Sequence, residues 1–158
     1  MVKNNNPEIR SRIMRSIRSS NTSIEKKVEK IIEEFGVAYR KQVSELLGKP
    51  DFVIDEYQAV LFVHGCFWHG HECYIFKPPM TRREFWLKKI NGNIHRDRMV
   101  VSYLLNLGWK VLIVWECSLQ GKYKLSDNKL SERIEEWLCE DYSFAEIDAN
   151  GIHDVYLH

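Results

Sequence analysis

Metal-binding residue types cluster in the middle of the chain, and one more lies far along the sequence. Cys66, His71 and Cys73 fall within eight positions, and Cys117 follows 44 residues after Cys73. Structural zinc sites favour thiolate and imidazole ligands, four to an ion in a tetrahedral shell. We therefore interpret these residues as one structural zinc site, which requires a fold that returns residue 117 to the loop around residues 66–73.

Other interpretations of this loop stay open from the sequence. His64 and His69 lie in the same loop and compete with His71 as imidazole ligands. The spacing differs from the paired C-x2-C motifs of many zinc sites, so the set could also be buried thiols beside a solvated histidine. The remaining thiol, Cys139, is interpreted as a buried cysteine without a ligand role.

The periodicity of apolar residues predicts a mixed α/β fold. We expect helices over residues 7–18, 22–36, 81–107 and 126–138, and strands over residues 37–42, 51–54, 59–63 and 109–115. Thr-x-x-Glu capping boxes at Thr22 and Thr81 predict two of the helix starts. This order implies a mixed central β-sheet flanked by helices, with residues 109–115 as a central strand. The helix over residues 81–107 would be a crossover connection if its flanking strands are parallel.

Composition and charge narrow the function classes. Of the 158 residues, 44% are hydrophobic and 28% charged, which is typical of globular proteins. No apolar run approaches the roughly 18 residues of a membrane span, and the N-terminus lacks the apolar region of a signal peptide. We therefore expect a cytoplasmic protein, with no membrane partner, that forms a single domain of residues 1–158.

The net charge of +1 is unevenly distributed along the chain. Residues 1–98 carry 18 Lys and Arg against 12 Asp and Glu, whereas residues 99–158 carry 5 against 10. This asymmetry indicates a surface that binds a polyanion, although a solvated acidic helix near the C-terminus would also account for the second half.

Residues suited to phosphodiester hydrolysis lie where two predicted strands end. Hydrolysis of this bond needs a carboxylate to hold a hard cation and a group that activates water. Asp51 begins one strand, His64 ends the next, and His69 follows shortly after. Imidazoles titrate near neutral pH, which suits general acid or base catalysis. Taken alone, an aspartate at a turn is more often a cap, and an isolated histidine is usually inert. The catalytic interpretation therefore depends on all three side chains lying close together.

Aromatic and basic residues suggest a nucleic-acid surface. Phe67 and Trp68 are adjacent in the His- and Gly-rich loop, and Trp86 lies early in the predicted long helix. Residues 77–98 contain seven basic and two acidic side chains. A cationic surface with interleaved aromatics is typical of duplex binding, because exposed rings can stack on or wedge between bases. Core packing is the competing interpretation, above all for Trp86.

Six blocks of the sequence closely resemble the very short patch repair (Vsr) endonucleases. In one-letter code they are GKPDFV (48–53), HGCFWH (64–69), FWLKKINGN (85–93), RDR (96–98), GWKVLIVWEC (108–117) and GIH (151–153). The resemblance implies a restriction-endonuclease-like fold and an enzyme that nicks one DNA strand 5′ to the T of a T:G mismatch. Such mismatches arise when 5-methylcytosine deaminates, and a repair polymerase then resynthesises a short patch.

The resemblance also implies roles for residues at the catalytic and metal sites. Asp51 would hold catalytic Mg²⁺, expected as two ions, together with the main-chain oxygen of Val63. His69 would activate water, His64 would contact the scissile phosphate, and Glu25 would support the water network. The implied ligands of one structural Zn²⁺ agree with those chosen from spacing: Cys66, His71, Cys73 and Cys117.

The implied DNA contacts lie on two sides of the duplex. Side chains expected to wedge in from the major groove are Phe67, Trp68 and Trp86, and those expected to read the mismatched pair are Lys89 and Asn93. Met14 and Ile17 would enter the minor groove from a basic N-terminal arm, residues 1–20. The protein would act as a monomer on double-stranded DNA, with MutL/MutS-type mismatch-repair proteins and a repair polymerase as further partners.

Two departures and two alternative functions accompany the resemblance. Many members of the family carry Thr where this chain has Val63, and the acidic-x-Lys motif of the wider superfamily is replaced around residues 62–64. The alternatives are a restriction-type endonuclease that cuts both strands of a paired site, and a mismatch-binding module without catalysis.

Overall fold

The structure, a computed structural model, describes residues 23–156. Within this range a helix, α1, covers residues 23–34. The other helices are α2 (Arg83–Asn106), α3 (Glu116–Leu119) and α4 (Asp127–Cys139), with one 3-10 turn at Asp55–Tyr57. The strands are β1 (Arg40–Lys41), β2 (Phe52–Ile54), β3 (Ala59–His64), β4 (Lys110–Trp115), β5 (Phe144–Asp148) and β6 (Gly151–Asp154). The helix predicted over residues 7–18 lies outside the described residues.

The described strands form one mixed sheet in the order β1-β2-β3-β4-β5-β6. The pairs β1–β2, β2–β3 and β5–β6 are antiparallel, whereas β4 pairs in parallel with both β3 and β5. Helix α2 connects the parallel strands β3 and β4. The prediction of a mixed sheet with residues 109–115 at its centre is therefore confirmed.

Helices cover both faces of this sheet. On one face, α1 and α4 bury the side chains of Leu112 and Val114; on the other, α2 buries those of Val111 and Ile113. Strands buried on both faces read as continuous apolar runs, which explains the unbroken hydrophobic pattern of β3 and β4. On the face covered by α1 and α4, the fully buried Trp137 of α4 donates a hydrogen bond from Nε1 to the main-chain oxygen of Val111 at 3.1 Å.

Several local predictions were wrong. The first strand covers two residues instead of six: its pairing with β2 begins only at Arg40, and the left-handed conformation of Gln42 (φ 49°) ends it after Lys41. Helix α2 begins at Arg83 after a left-handed Arg82 without a side-chain cap, so the capping box at Thr81 does not form. Cys139 is exposed rather than buried. By contrast, the helix expected over residues 126–138 forms as α4, and Ser126 caps it by accepting a hydrogen bond from Lys129 N at 3.2 Å.

The hairpin of β5 and β6 was not predicted at all. Its sequence is short and partly acidic, and its burial alternates only along β5. β5 forms because it pairs with β4, more than thirty residues away in sequence. Within residues 23–156, none of the helices has the length and apolar character needed to cross a lipid bilayer.

Candidate active site and metal centre

Asp51 lies at the meeting point of three elements. It precedes β2, and its Oδ2 accepts a hydrogen bond from the main-chain N–H of Val63 in β3 at 2.7 Å. Its Oδ1 accepts from Gln42 Nε2 at 3.1 Å, and the same amide group donates to Glu25 Oε2 of α1 at 3.3 Å. The left-handed turn at Gln42, which shortens β1, thus brings its amide to both carboxyl groups.

The segment before Asp51 needs a glycine. Gly48 has φ +81°, and a Cβ atom there would collide with the Val100 side chain of α2. Close approach to α2 and a left-handed backbone therefore both favour glycine, and together they set the path by which the chain enters β2.

Glu25 and Asp51 form a coupled pair of carboxyl groups. Burial, and then the negative charge of Asp51, raise the pKa of Glu25 to about 7. Burial also raises the pKa of Asp51, although the hydrogen bonds from Val63 and Gln42 oppose this. Two half-buried carboxylates at one place repel each other, so the pair favours either a shared proton or a cation.

Two histidines stack beside this pair. The rings of His64 and His69 are parallel within 3°, with centroids 3.8 Å apart. His69 is close enough to Asp51 for its positive charge to lower the pKa of that carboxyl. Burial, and then the charge of His69, hold the pKa of His64 well below its usual value, so His64 is neutral near neutral pH.

An aspartate that sequence reasoning missed orients His69. Asp97 of α2 places Oδ2 2.6 Å from His69 Nδ1. Because a carboxylate only accepts hydrogen bonds, Nδ1 carries the proton and the lone pair is on Nε2. That is the tautomer a general base requires. Asp97 lies within the basic stretch and in the RDR block (96–98), but neither assigned it a role, because no local pattern shows that it faces the loop.

A cleft of about 630 Å³ opens next to these histidines, lined in part by His64, His69, Asp97 and Arg98. Ligand atoms of His64, His69 and Asp97 lie within 4.8 Å of one another. Because the two rings are stacked in parallel, their nitrogen lone pairs lie in parallel planes and do not converge on one point. In addition, His69 Nδ1 is hydrogen-bonded to Asp97 and is not available to a metal. The group therefore suits proton transfer better than metal binding.

The four residues chosen from their spacing converge on a second site. Ligand atoms of Cys66, His71, Cys73 and Cys117 lie within 4.8 Å of one another. His71 Nδ1 is 3.6 Å from Cys66 Sγ and 3.8 Å from Cys117 Sγ. Zinc bonds of roughly 2.3 Å to sulfur and 2.0–2.1 Å to nitrogen at a tetrahedral angle put those atoms about 3.6 Å apart. The donor set and its spacing therefore fit zinc, and His64 and His69 belong to the other cluster.

The thiols of Cys66 and Cys117 affect each other's ionisation in opposite directions. The hydrogen bond from Cys66, and next that from His71, lower the pKa of the Cys117 thiol to about 5. The same Cys66–Cys117 bond, with burial, raises the pKa of Cys66. A low thiol pKa provides the thiolate that metal binding requires.

The loop after β3 contributes residues to both clusters. Within it, His71 N donates to Cys66 O at 2.9 Å, and Gly70 adopts φ +64°. A Cβ at Gly70 would lie 2.6 Å from Ile94 Cδ1 of α2, so the loop packs onto α2 where only glycine fits. Trp115 lies between the clusters: its ring stacks on His71 at 4.3 Å and meets His64 edge-on at 5.4 Å. The metal ligands and the catalytic candidates are therefore parts of one packed unit.

Phe67, Trp68 and Trp86 form an aromatic cluster at the surface. Their ring centroids lie 5.3 to 6.1 Å apart, and all three side chains are half-buried. None of them belongs to either hydrophobic core of the described residues. Lys89 Nζ lies 5.8 Å from the ring centroids of both Trp68 and Trp86. Asn93 Nδ2 donates to Trp68 O at 2.9 Å, which ties the loop to α2.

The structure brings together the residues expected to act in catalysis, those expected to bind zinc, and the aromatic residues with Lys89 and Asn93. Met14, Ile17 and the arm of residues 1–20 lie outside the described residues.

Comparison with known proteins identifies the family of the chain. Residues 3–75 match the family model of the DNA mismatch endonuclease Vsr. The chain is 54% identical over 91% of its length to the DNA mismatch endonuclease Vsr of Escherichia coli strain K12, of which it covers 92%.

Similar relatives include two nicking enzymes. The type II nicking enzymes V.XorIIP of Xanthomonas oryzae pv. oryzae and V.NmeAIP of Neisseria meningitidis serogroup A are each 42% identical over 72% of this chain, covering 83% and 81% of those proteins. With the first relative matched over nearly its whole length, the chain belongs to the Vsr family of DNA mismatch endonucleases.

Proposed function

We propose that this protein is a Mg²⁺-dependent endonuclease that nicks one DNA strand 5′ to the T of a T:G mismatch. The observation that carries the proposal is that the Asp51 carboxylate lies close to the His64–His69–Asp97 group. The half-exposed aromatic cluster of Phe67, Trp68 and Trp86, with Lys89 above two of its rings, lies next to this group. Family membership supports the reaction class, and the names of the relatives favour nicking over double-strand cleavage.

Asp51 and the Val63 carbonyl are the proposed Mg²⁺ ligands. The N–H and C=O of a strand residue point to the same side, and Val63 N–H points at Asp51. Magnesium prefers oxygen ligands and often binds through one or two carboxylates, which the Asp51–Glu25 pair offers. When bound, it would stabilise negative charge on the phosphate and lower the pKa of a bound water. Because the ligand at residue 63 is a main-chain atom, Val in place of Thr preserves it.

His69 is the proposed general base. Its Nε2 lone pair is available because Asp97 holds the proton on Nδ1. Asp97 also stabilises the imidazolium that forms when His69 takes a proton from water. His64, neutral and stacked on His69, would contact the phosphate by a ring N–H rather than by charge. Asp51 would bind the cation, and the neighbouring carboxyl group of Glu25 would hold a water molecule by hydrogen bonding.

The aromatic cluster is the proposed reader of the mismatch. Phe67, Trp68 and Trp86 would insert into the duplex, where a T:G pair has less stacking and pairing energy to lose than a matched pair. Lys89 and Asn93 lie on the same face of α2 and would contact the exposed base edges. The four thiol and imidazole ligands would hold a structural zinc that shapes the loop carrying Phe67, Trp68 and His69.

A nicking assay tests the proposal. A duplex with one T:G pair and its A:T counterpart are incubated with Mg²⁺, and each strand carries its own label. We expect cleavage of the T-containing strand, 5′ to the mismatched T, and little cutting of the A:T duplex. Equal cutting of both duplexes would contradict mismatch recognition, and cutting of both strands of unmodified plasmid would favour a restriction-type enzyme. Tight T:G binding with no Mg²⁺-dependent product would favour the non-catalytic module.

A further inference from the structure

The β5–β6 hairpin brings a carboxylate behind the proposed zinc ligand His71. Asp148, the last residue of β5, has Oδ2 3.8 Å from His71 Nε2. Its other oxygen, Oδ1, lies 2.9 Å from His153 Nε2 of β6 and accepts from Asn150 N at 2.8 Å. His153 ends the GIH block, to which neither the zinc site nor the catalytic site assigns a role.

Ligand chemistry defines what His71 needs on this side. The nitrogen that faces the two thiols is Nδ1, so the neutral ring carries its proton on Nε2. A half-buried N–H needs an acceptor, and metal-binding histidines usually donate that proton to a carboxylate or carbonyl. The nearby Glu146 is engaged elsewhere, since its Oε1 accepts from Trp115 Nε1 at 2.8 Å. Asp148 Oδ2 is then the acceptor that faces Nε2.

We propose that Asp148 is a positioning residue for the zinc ligand His71, and that His153 holds Asp148 in place for this role. The inference rests on the proposed zinc site and deepens it. Two hydrogen bonds fix Oδ1 and thereby aim Oδ2 at His71. The His71 ring also stacks on the Trp115 ring, with centroids 4.3 Å apart, which restricts movement of the imidazole towards that side. The 3.8 Å separation is longer than the roughly 3.2 Å of an ordinary N–H···O bond, so Asp148 faces His71 Nε2 without bonding to it here, and the proposed bond requires the carboxylate to approach by about 0.6 Å.

The substitution Asp148→Asn tests this directly. Asn150 N and His153 both donate to Oδ1, so the amide oxygen would stay on that side and the NH₂ group would face His71 Nε2–H, donor against donor. We expect the zinc dissociation constant, measured by competition with a chromogenic chelator, to rise about 10- to 100-fold. The matched control is Asp154→Asn, on the same hairpin, whose carboxylate accepts only from the exposed Tyr156 hydroxyl among the hydrogen bonds of the described residues; it should leave zinc affinity unchanged. His153→Asn should weaken zinc binding in the same direction, by less.

A second measurement separates positioning from simple structural support. In a His71→Cys background the ligand has no second N–H, so Asp148→Asn should lose its effect on zinc affinity. Melting temperatures of zinc-free wild type and Asp148→Asn should agree, because the proposed contribution exists only when zinc is bound. Equal zinc affinity of wild type and Asp148→Asn, or a loss seen equally in the zinc-free proteins, would overturn the inference. Absence of stoichiometric zinc from the purified wild type would instead overturn the zinc site itself.

Discussion

Three carboxyl groups within the proposed active site are assigned different tasks because their neighbours differ. Asp51 accepts a main-chain N–H and lies beside a second carboxyl group, which suits cation binding. Burial, and then the charge of Asp51, raise the pKa of Glu25 to about 7. Asp97 instead faces an imidazole nitrogen and orients a ring. Residue type alone does not separate these tasks, but hydrogen-bond partners do.

Asp51→Asn should abolish nicking while DNA binding persists. The substitution removes the anionic ligand of the proposed cation, whose charge stabilisation amounts to several kcal/mol, so we expect at least about a 10³-fold lower rate. The aromatic cluster is untouched, so affinity for T:G duplex in a gel-shift assay should change by only a few-fold. Turnover at the wild-type rate would refute the assignment of Asp51.

Asp97→Asn should lower the rate by about 10²- to 10⁴-fold, the range attributed to general acid–base catalysis. The amide can donate to His69 Nδ1 and so favours the tautomer with the proton on Nε2, which cannot accept a proton from water. The check is the pH–rate profile together with melting temperature. A lower rate in a protein of unchanged stability supports orientation of His69, whereas an unaltered profile and rate contradict it.

Glu25 should make the metal-free protein lose stability as pH rises. The pKa of its carboxyl is about 7 in the folded chain against an ordinary 4.5, so the proton is bound more tightly in the folded state. The resulting stabilisation is complete below about pH 4.5 and is lost as pH rises through about 7. Glu25→Gln mimics the protonated form. In EDTA-free buffer without Mg²⁺, its melting temperature should match wild type near pH 5 and exceed it near pH 8; equal values at both pH values would contradict the carboxyl coupling.

Helix α2 connects the proposed recognition residues to the proposed catalytic group. Its first turns carry Trp86 and Lys89, and Asp97 lies about three turns further along. The loop packs on it through Gly70 and is tied to it by the Asn93–Trp68 hydrogen bond. If the aromatic cluster moves when it binds DNA, these contacts would transmit the movement to His69, the proposed general base.

Trp86→Ala should weaken binding to T:G duplex by about 1–3 kcal/mol, the range for loss of one aromatic–base stack. Because Trp86 lies outside both hydrophobic cores of the described residues, stability should change little. Phe85→Ala is the matched control, since Phe85 neighbours Trp86 on the same helix and is 47% exposed. A large fall in melting temperature with unchanged duplex affinity would show that Trp86 belongs to the fold rather than to the DNA surface.

At the scale of the whole molecule, the proposed zinc would join parts of the chain that are distant in sequence. Three ligands come from the loop after β3 and the fourth from α3, after the central strand β4. Because this loop also holds His69 and directly follows His64, the last residue of β3, metal binding, folding of this end of the sheet and assembly of the proposed catalytic group are expected to be coupled.

Cys117→Ser should therefore lower both melting temperature and zinc content. Cys117 is fully buried among the ligands, and a serine hydroxyl is a poor zinc ligand. Cys139→Ser is the control, since that thiol is exposed and remote from the cluster. Calorimetry measures the melting temperature of both variants, and elemental analysis measures their zinc content. If Cys117→Ser keeps the wild-type melting temperature and zinc content, Cys117 is not a zinc ligand.

The sequence by itself determined the parts of this protein that have local signals. The apolar runs of β3 and β4 predict a buried central sheet, because burial on both faces requires unbroken hydrophobicity. The spacing of Cys66, His71 and Cys73 predicts a metal site, because one loop can supply adjacent ligands. The blocks around Asp51 and His69 carry the family resemblance that the comparisons confirm.

Only the tertiary structure decided which remote groups meet these residues. Asp97, 28 positions after His69, orients it, and Asp148 reaches His71 from a hairpin that the sequence did not predict. The strand β5 exists because of its partner β4, and Gln42 contacts Asp51 because a left-handed turn directs it there. The physical reason is that such contacts depend on how elements pack against one another, and a packing contact between distant segments leaves no periodic trace in either segment.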